Sequence, residues 1–459
     1  MIDKQAIQAA LAAGIANGAD FAEVFFEDTR RTTVGYKDGK VETALSGCDY
    51  GAGVRVLSGT NCAYAYTCDV SEAALKQAAL AAAQTLQAAK GEMCKDFVLR
   101  PTRPLQPAAV RPQDVSMAQR AQVAKRAYDA ARAFSPEIVQ AMSTVMDVHQ
   151  HVVIANSTGV WVEDERSRAR LAIQAVAAKG NEMQTGFEGP GAGAGFEFFD
   201  TLDIEGTART AAETAVTMLH APFCPAGRVP VVIDGGFGGV IFHEACGHSL
   251  EATAVARGNS EFAGKMGQQI ANKKVTAVDD GTMQGEWGSI GYDDEGNPSQ
   301  RNVLIRDGIL TGYMIDILGG RRMNMAPTGS GRRQSYRFAP TSRMTNTFIA
   351  DGTDENVLGE VADGLYAKRM GGGSVNPLTG EFNFAVTEGY WIRNGQIDRP
   401  VRGATLIGKG SEVLMRIDGV EKGVWLGQGM CGSISGSVPT NVGQPRIRVS
   451  EMIVGGRED

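Results

Sequence analysis

Two proline-rich breaks constrain this chain more than any other feature. PTRPLQPAAVRP (Pro101 to Pro112) carries four prolines in twelve residues, and APFCPAGRVP (Ala221 to Pro230) carries three in ten. Proline fixes φ and lacks the backbone donor, so neither stretch can form a helix interior or a central strand. Both read as linkers between compact parts. The 459 residues are too many for one ordinary core, and the breaks divide them at 1–105, 110–222 and 228–459.

The first segment opens with an Ala-rich helix, MIDKQAIQAALAAGIANGAD. FAEVFFED follows as a strand, and TTVGYKDGKVETA as a hairpin turning at Asp38-Gly39. VRVLSG and CAYAYTC add strand. A long helix over 71–90 closes the segment, with Ser71 as its N-cap. The second segment repeats the plan: a helix over 114–134, a hairpin-rich sheet turning at Asn156-Ser157-Thr158-Gly159, and a helix over 206–220. The third is glycine-rich, with short strand-like runs separated by Asp307-Gly308 and Asn394-Gly395. The expected fold class is α+β: two small α+β units followed by a mainly antiparallel β domain.

Composition excludes several functions. Net charge is −7 and the pI about 5.5, against the basic surface that nucleic acid requires. No run of about 18 apolar residues suggests a membrane span. No basic stretch precedes an apolar core at the N-terminus, so no signal peptide is expected. Seven cysteines without a CxxC pair fit reduced thiols in a cytoplasm.

HEACGH (His243 to His248) carries the chemistry. Two of the chain's five histidines fall within six residues, beside a glutamate. In HExxH, histidines four apart share a helix face. Five residues turn about 500°, leaving the second ring about 140° from the first. One extra residue in the turn, a π-bulge, restores the geometry, and Gly247 sits where distortion costs least. A metal site is therefore expected on an irregular helix following the buried-type strand VPVVI. The dinucleotide alternative fails because GxGxxG from Gly236 would need glycine at Ile241. A nucleophilic Cys246 ranks below a small packed residue. A catalytic zinc needs a third ligand and an open position. His220, Cys224, Cys431 and many carboxylates remain open for that role, Cys431 standing out in the glycine-dense WLGQGMCGSISG. Asp279-Asp280 and Asp293-Asp294-Glu295 match no EF-hand and read as solvated turns.

HEACGHSLEATAV, VDDGTM, PTGSGRRQSYRFAP, RMTNTFI, GGGSVNPLTGEF, GATLIG, MCG and VGQP resemble the TldD/PmbA family, specifically its TldD-like branch. The resemblance implies a Zn²⁺ metallopeptidase, with His243, His248 and Cys431 as ligands and Glu244 as the acid/base. It implies substrates that are unfolded peptides, including microcin-type precursors and antitoxin proteins. It also implies a dimer, either of two copies or with an inactive PmbA-like subunit. Some relatives are called gyrase modulators, so the alternative is a non-catalytic peptide-binding or modulator subunit with a structural metal or none. Glu244 argues against that, since a structural site has no use for a base. Tyr336 and Arg343 are candidate oxyanion donors. RMTNTFIA, with Thr345 and Asn346, is the expected strand edge for substrate.

Overall fold

The computed structural model describes residues 2–16, 18–86, 94–376 and 379–457. In the first segment, helix Lys4–Ile15 is capped by Asp3. Strands Phe21–Lys37, Lys40–Ser58 and Asn61–Thr67 follow, then helix Glu72–Gln84, where the Ser71 side chain accepts from the Ala74 N–H. The expected end of that helix falls partly on residues 87–93, outside the described residues. The second segment repeats the order. Helix Met117–Arg132 starts on a Ser116/Gln119 capping box, and strands Ile138–Asn156, Val160–Lys179 and Glu182–Glu188 lead to helix Ile204–His220.

The two segments share one sheet. Phe21–Lys37 pairs antiparallel with Ile138–Asn156, from Glu23↔Asn156 to Lys37↔Met142. Each neighbour then adds its own hairpins outward, so the strand order is the same read from the centre in either direction. Alternation along the strands sorts the faces. Ala22, Val24, Phe26, Val153 and Ala155 pack with the first pair of helices. Ala141 and Val145 pack in the core of the second pair. Phe25, Val152, Ile154 and Val162 point the other way, against Tyr292 and Tyr336 of the third segment.

That second face also carries a buried ionic layer. Arg55 reaches Glu23 at 2.7 Å and Glu295 at 2.6 Å, and Arg333 reaches Glu23 at 2.5 Å; all four side chains have no exposed surface. Arg166 pairs with Asp294 at 2.6 Å. The acidic runs expected as solvated turns are therefore interior: Asp279, Asp280, Asp293, Asp294 and Glu295 are all buried. Cations from strands far away in sequence, together with backbone N–H groups, make this burial affordable. The first expected linker is also tied down. Gln106 is buried and donates to the Ser289 carbonyl, and the Tyr292 hydroxyl donates to the Pro101 carbonyl.

In the third segment, Gly227–Ile233 pairs with Asp363–Val375 and Ile447–Gly455. Thr405–Lys409 and Glu381–Arg393 continue from the latter, and Glu381–Arg393 pairs back with Asp363–Val375, closing a ring. A second sheet runs Ile309–Leu310, Arg301–Arg306, Ala277–Asp280, Asn346–Ile349, Gly436–Gln444, Trp425–Ser433. Most pairings are antiparallel, as expected. Asp38-Gly39, Asp307-Gly308 and Asn394-Gly395 all take positive φ at both residues, which suits two-residue hairpin turns. Strand order corrects one expectation. Asn346–Ile349 lies between two partners, so RMTNTFIA is internal, and the sheet ends on Ile309–Leu310 and Trp425–Ser433. Among the described residues, no helix is long and apolar enough to cross a membrane.

Candidate metal centre

The strand Gly227–Ile233 delivers the chain into the core of the third segment, where Gly236 reverses it at φ 59°. Gly239 then lies against Gly436–Gln444 so closely that a Cβ would meet the Gly443 nitrogen at 2.4 Å. The helix that follows is irregular. Val240–Phe242 is α-helical, His243–Gly247 is π-helical and His248–Leu250 is a 3-10 turn. The His248 N–H donates to the His243 carbonyl, one residue wider than an α-turn. The wide turn brings the two rings onto one face, with centroids 5.1 Å apart. Ile241, Phe242, Ala245 and Cys246 face the core. Gly247 has helical φ of −53°, so its role is not backbone freedom. A Cβ there would lie 2.4 Å from Met344 Sδ, so any side chain at 247 would have to displace Met344 or the turn.

Cys431 arrives from the edge strand Trp425–Ser433. Its Sγ lies 3.2 Å from both His243 Nε2 and His248 Nε2, and the three donor atoms all fall within 4.8 Å of one another. A tetrahedral centre with ordinary bond lengths would set N-to-S spans of about 3.6 Å, so small adjustments admit an ion. Burial would push the Cys431 thiol up, but His243, by charge and hydrogen bond, and His248 bring it down to about 4. The thiolate is then the prevailing form at neutral pH, which is the form a metal binds. For His248, burial opposes the charge, yet Glu251 and Cys431 hold it well above the usual imidazole range. Two imidazoles and a thiolate converging on one point fit a metal ion, which would displace the proton shared among them. The side chain of Glu244 is 31% exposed, with Oε2 3.8 Å from His248 Nε2, on the accessible side of the cluster.

The other third-ligand candidates lie elsewhere. His220 pairs with Glu137 at 2.9 Å, and the Cys224 thiol donates to the Pro225 carbonyl. The structure buries the four expected substrate contacts on internal partners. Tyr336 packs in the joint with the N-terminal sheet, and its N–H donates to Glu27. Thr345 donates to Asp279, by N–H at 2.7 Å and hydroxyl at 2.9 Å. The Asn346 amide donates to the Asp280 carbonyl and Ser289 Oγ. Arg343 donates to the Cys431 and Gly436 carbonyls and to Ser435 Oγ. One residue close to the site was missed. Glu251 places Oε2 3.2 Å from His248 Nδ1. Its signal was present in HSLE, a carboxylate one turn beyond a candidate ligand histidine.

An open groove of about 730 Å³ runs along the edge strand, lined by Trp425 through Met430, by Lys368–Gly372 and by Phe187–Pro190. It reaches Met430, the residue before Cys431.

Family models describe all three segments. The PmbA/TldA metallopeptidase C-terminal domain matches residues 226–456, the central domain 110–219 and domain 1 22–86. The chain belongs to the TldD/PmbA family. It is 36% identical to a metalloprotease TldD homolog from Haemophilus influenzae, over 95% of this chain and 93% of that one. It is 32% identical to a metalloprotease from Methanothermobacter thermautotrophicus, over 96% and 97%. Solved structures share the fold. A putative modulator of a DNA gyrase from Thermotoga maritima matches with TM-score 0.76 at 21% identity, covering 95% and 96%. TldE from Thermococcus kodakarensis matches with TM-score 0.77 at 18% identity, covering 98% and 100%. The TldD/PmbA family thus accounts for the chain as a metallopeptidase-family protein, from its N-terminal sheet to its metal-type cluster.

Proposed function

We propose that this protein is a zinc metallopeptidase acting on unfolded or extended peptides. The observation that carries the reading is the convergence of His243, His248 and Cys431 beside the partly exposed carboxylate of Glu244. A nitrogen, nitrogen and thiolate donor set suits zinc. When bound there, zinc would supply Lewis acidity to the scissile carbonyl and to the attacking water. His243 and His248 present Nε2 toward that position, and Cys431 supplies its thiolate. Glu244 takes the proton from the attacking water and returns it to the leaving amine. The groove fits an extended chain, and its floor strand Trp425–Ser433 is a sheet edge. The Trp425, Gly429 and Cys431 carbonyls of that strand already accept from Gly236, Trp287 and Arg343, so a peptide there would be held by the groove's walls, Lys368–Gly372 and Phe187–Pro190. Cleavage would fall where the strand reaches Cys431.

The test is digestion of casein by wild type and Glu244→Ala, both loaded with zinc and checked at about one ion per chain. Cleavage by wild type alone supports the reading and the role of Glu244. Equal cleavage by both removes Glu244 from the mechanism. No cleavage by zinc-loaded wild type counts against a peptidase.

A further inference from the structure

Beyond the three donors, one buried chain of charge joins the two elements that carry them. We propose that Glu251 and Arg343 are positioning residues of the metal centre: Glu251 orients the His248 ring through Nδ1, and Arg343 fastens that carboxylate to the strand bearing Cys431. This rests on the metal-centre reading above.

Glu251 lies three residues after His248, at the end of the 3-10 turn, with a side chain 5% exposed. Its Oε2 is 3.2 Å from His248 Nδ1, while His248 Nε2 faces Cys431 Sγ at 3.2 Å. An imidazole can offer Nε2 to a metal only when the proton sits on Nδ1, and a carboxylate at Nδ1 fixes that tautomer and the ring plane. Among the described residues the other oxygen of Glu251 has no hydrogen bond, and neither has Arg343 Nε. These two atoms lie 3.8 Å apart in a fully enclosed setting, so each is the other's charge partner. The remaining nitrogens of Arg343 donate to the Cys431 and Gly436 carbonyls and to Ser435 Oγ. One guanidinium therefore spans the helix end and the thiolate strand. The following segment is pinned to the same region, because the Thr253 N–H and hydroxyl both meet Ser342 Oγ. The two histidines differ in this respect. Among the described residues His243 Nδ1 is buried with no partner, so that ring is held by packing and by its Nε2 contact with Cys431, and only His248 is buttressed at Nδ1. The buttress is separate from Glu244, whose carboxylate stays on the accessible side.

The experiment is cobalt titration of the metal-free full chain, followed by its visible and near-ultraviolet absorption. Wild type is compared with Glu251→Gln, which keeps shape and removes charge, and with Arg343→Lys, which keeps charge and removes the fork. We expect cobalt affinity to fall about 10–100-fold in Glu251→Gln. The d–d bands should shift while the thiolate-to-cobalt band persists, because Cys431 is untouched. Arg343→Lys should change in the same direction by less. Wild-type affinity and spectrum in both variants would overturn the proposal, as would a lowered melting temperature with an unchanged spectrum, which marks a purely structural role. If circular dichroism shows Glu251→Gln unfolded, the spectrum of Arg343→Lys decides. A wild type that binds no cobalt fails at an earlier point: it overturns the metal centre itself.

Discussion

At the scale of single residues, the interior of the third segment is unusual for the carboxylates it encloses. Asp279 is fully buried, and burial pushes its carboxyl up to about 6 against the hydrogen bonds of Thr345 and Thr347. The folded-state value lies above the ordinary 3.8. Its contribution to stability is therefore fully present below pH ~4 and is lost as pH rises through about 6. Asp279→Asn removes this titration. The stability difference between wild type and Asp279→Asn should move against wild type by on the order of 2–3 kcal/mol between pH 4 and 7, measured by urea unfolding at each pH. A difference that stays flat across that window would show that Asp279 is ionised throughout in the folded protein.

At the scale of elements, the HEACGH helix and the Trp425–Ser433 strand meet through a single wide turn. The π-helical segment His243–Gly247 aligns the two histidines, and Met344 Sδ fills the space where residue 247 would carry a side chain. Gly247→Ala forces either Met344 or the turn to move. Overpacking of this kind costs about 1–3 kcal/mol. The expected outcome is a lower melting temperature together with weaker zinc retention during dialysis against a chelator. Loss of stability with full zinc retention would mean that the turn absorbs the methyl group without shifting its rings.

At the scale of the whole molecule, the N-terminal sheet and the third segment are locked by charge as well as by apolar packing. Glu23 meets both Arg55 and Arg333, and Arg55 also meets Glu295. Removing one partner of a buried network leaves an uncompensated charge, at about 3–5 kcal/mol. Glu23→Ala should destabilise by that order, and it should uncouple the parts. Calorimetry would then resolve two transitions where wild type shows one. A single transition at unchanged temperature would mean that the apolar packing of Phe25, Val152, Ile154 and Val162 suffices.

The sequence by itself determined what depends on neighbours along the chain. Histidines five apart required a widened turn, Asp-Gly and Asn-Gly marked hairpins, Ser71 capped a helix, and the repeated order of helix, hairpins and helix was visible as pattern. Cys431 stood out by its glycine-dense loop but stayed level with other candidates until likeness to a family chose it, because spacing along the chain does not say which distant side chain folds beside the histidines. Tertiary structure decided the rest. Asp293-Asp294-Glu295 looked like a solvated turn because Arg55 and Arg166, which accompany it inside, lie far away in sequence. RMTNTFIA looked like an edge because strand order is a property of pairing, and Gly436–Gln444 covers it from one side. Two units became one sheet because Phe21–Lys37 found its partner across more than a hundred intervening residues. Backbone conformation is set by short-range sterics and hydrogen bonds, whereas burial and charge compensation are set by whatever the folded chain brings alongside.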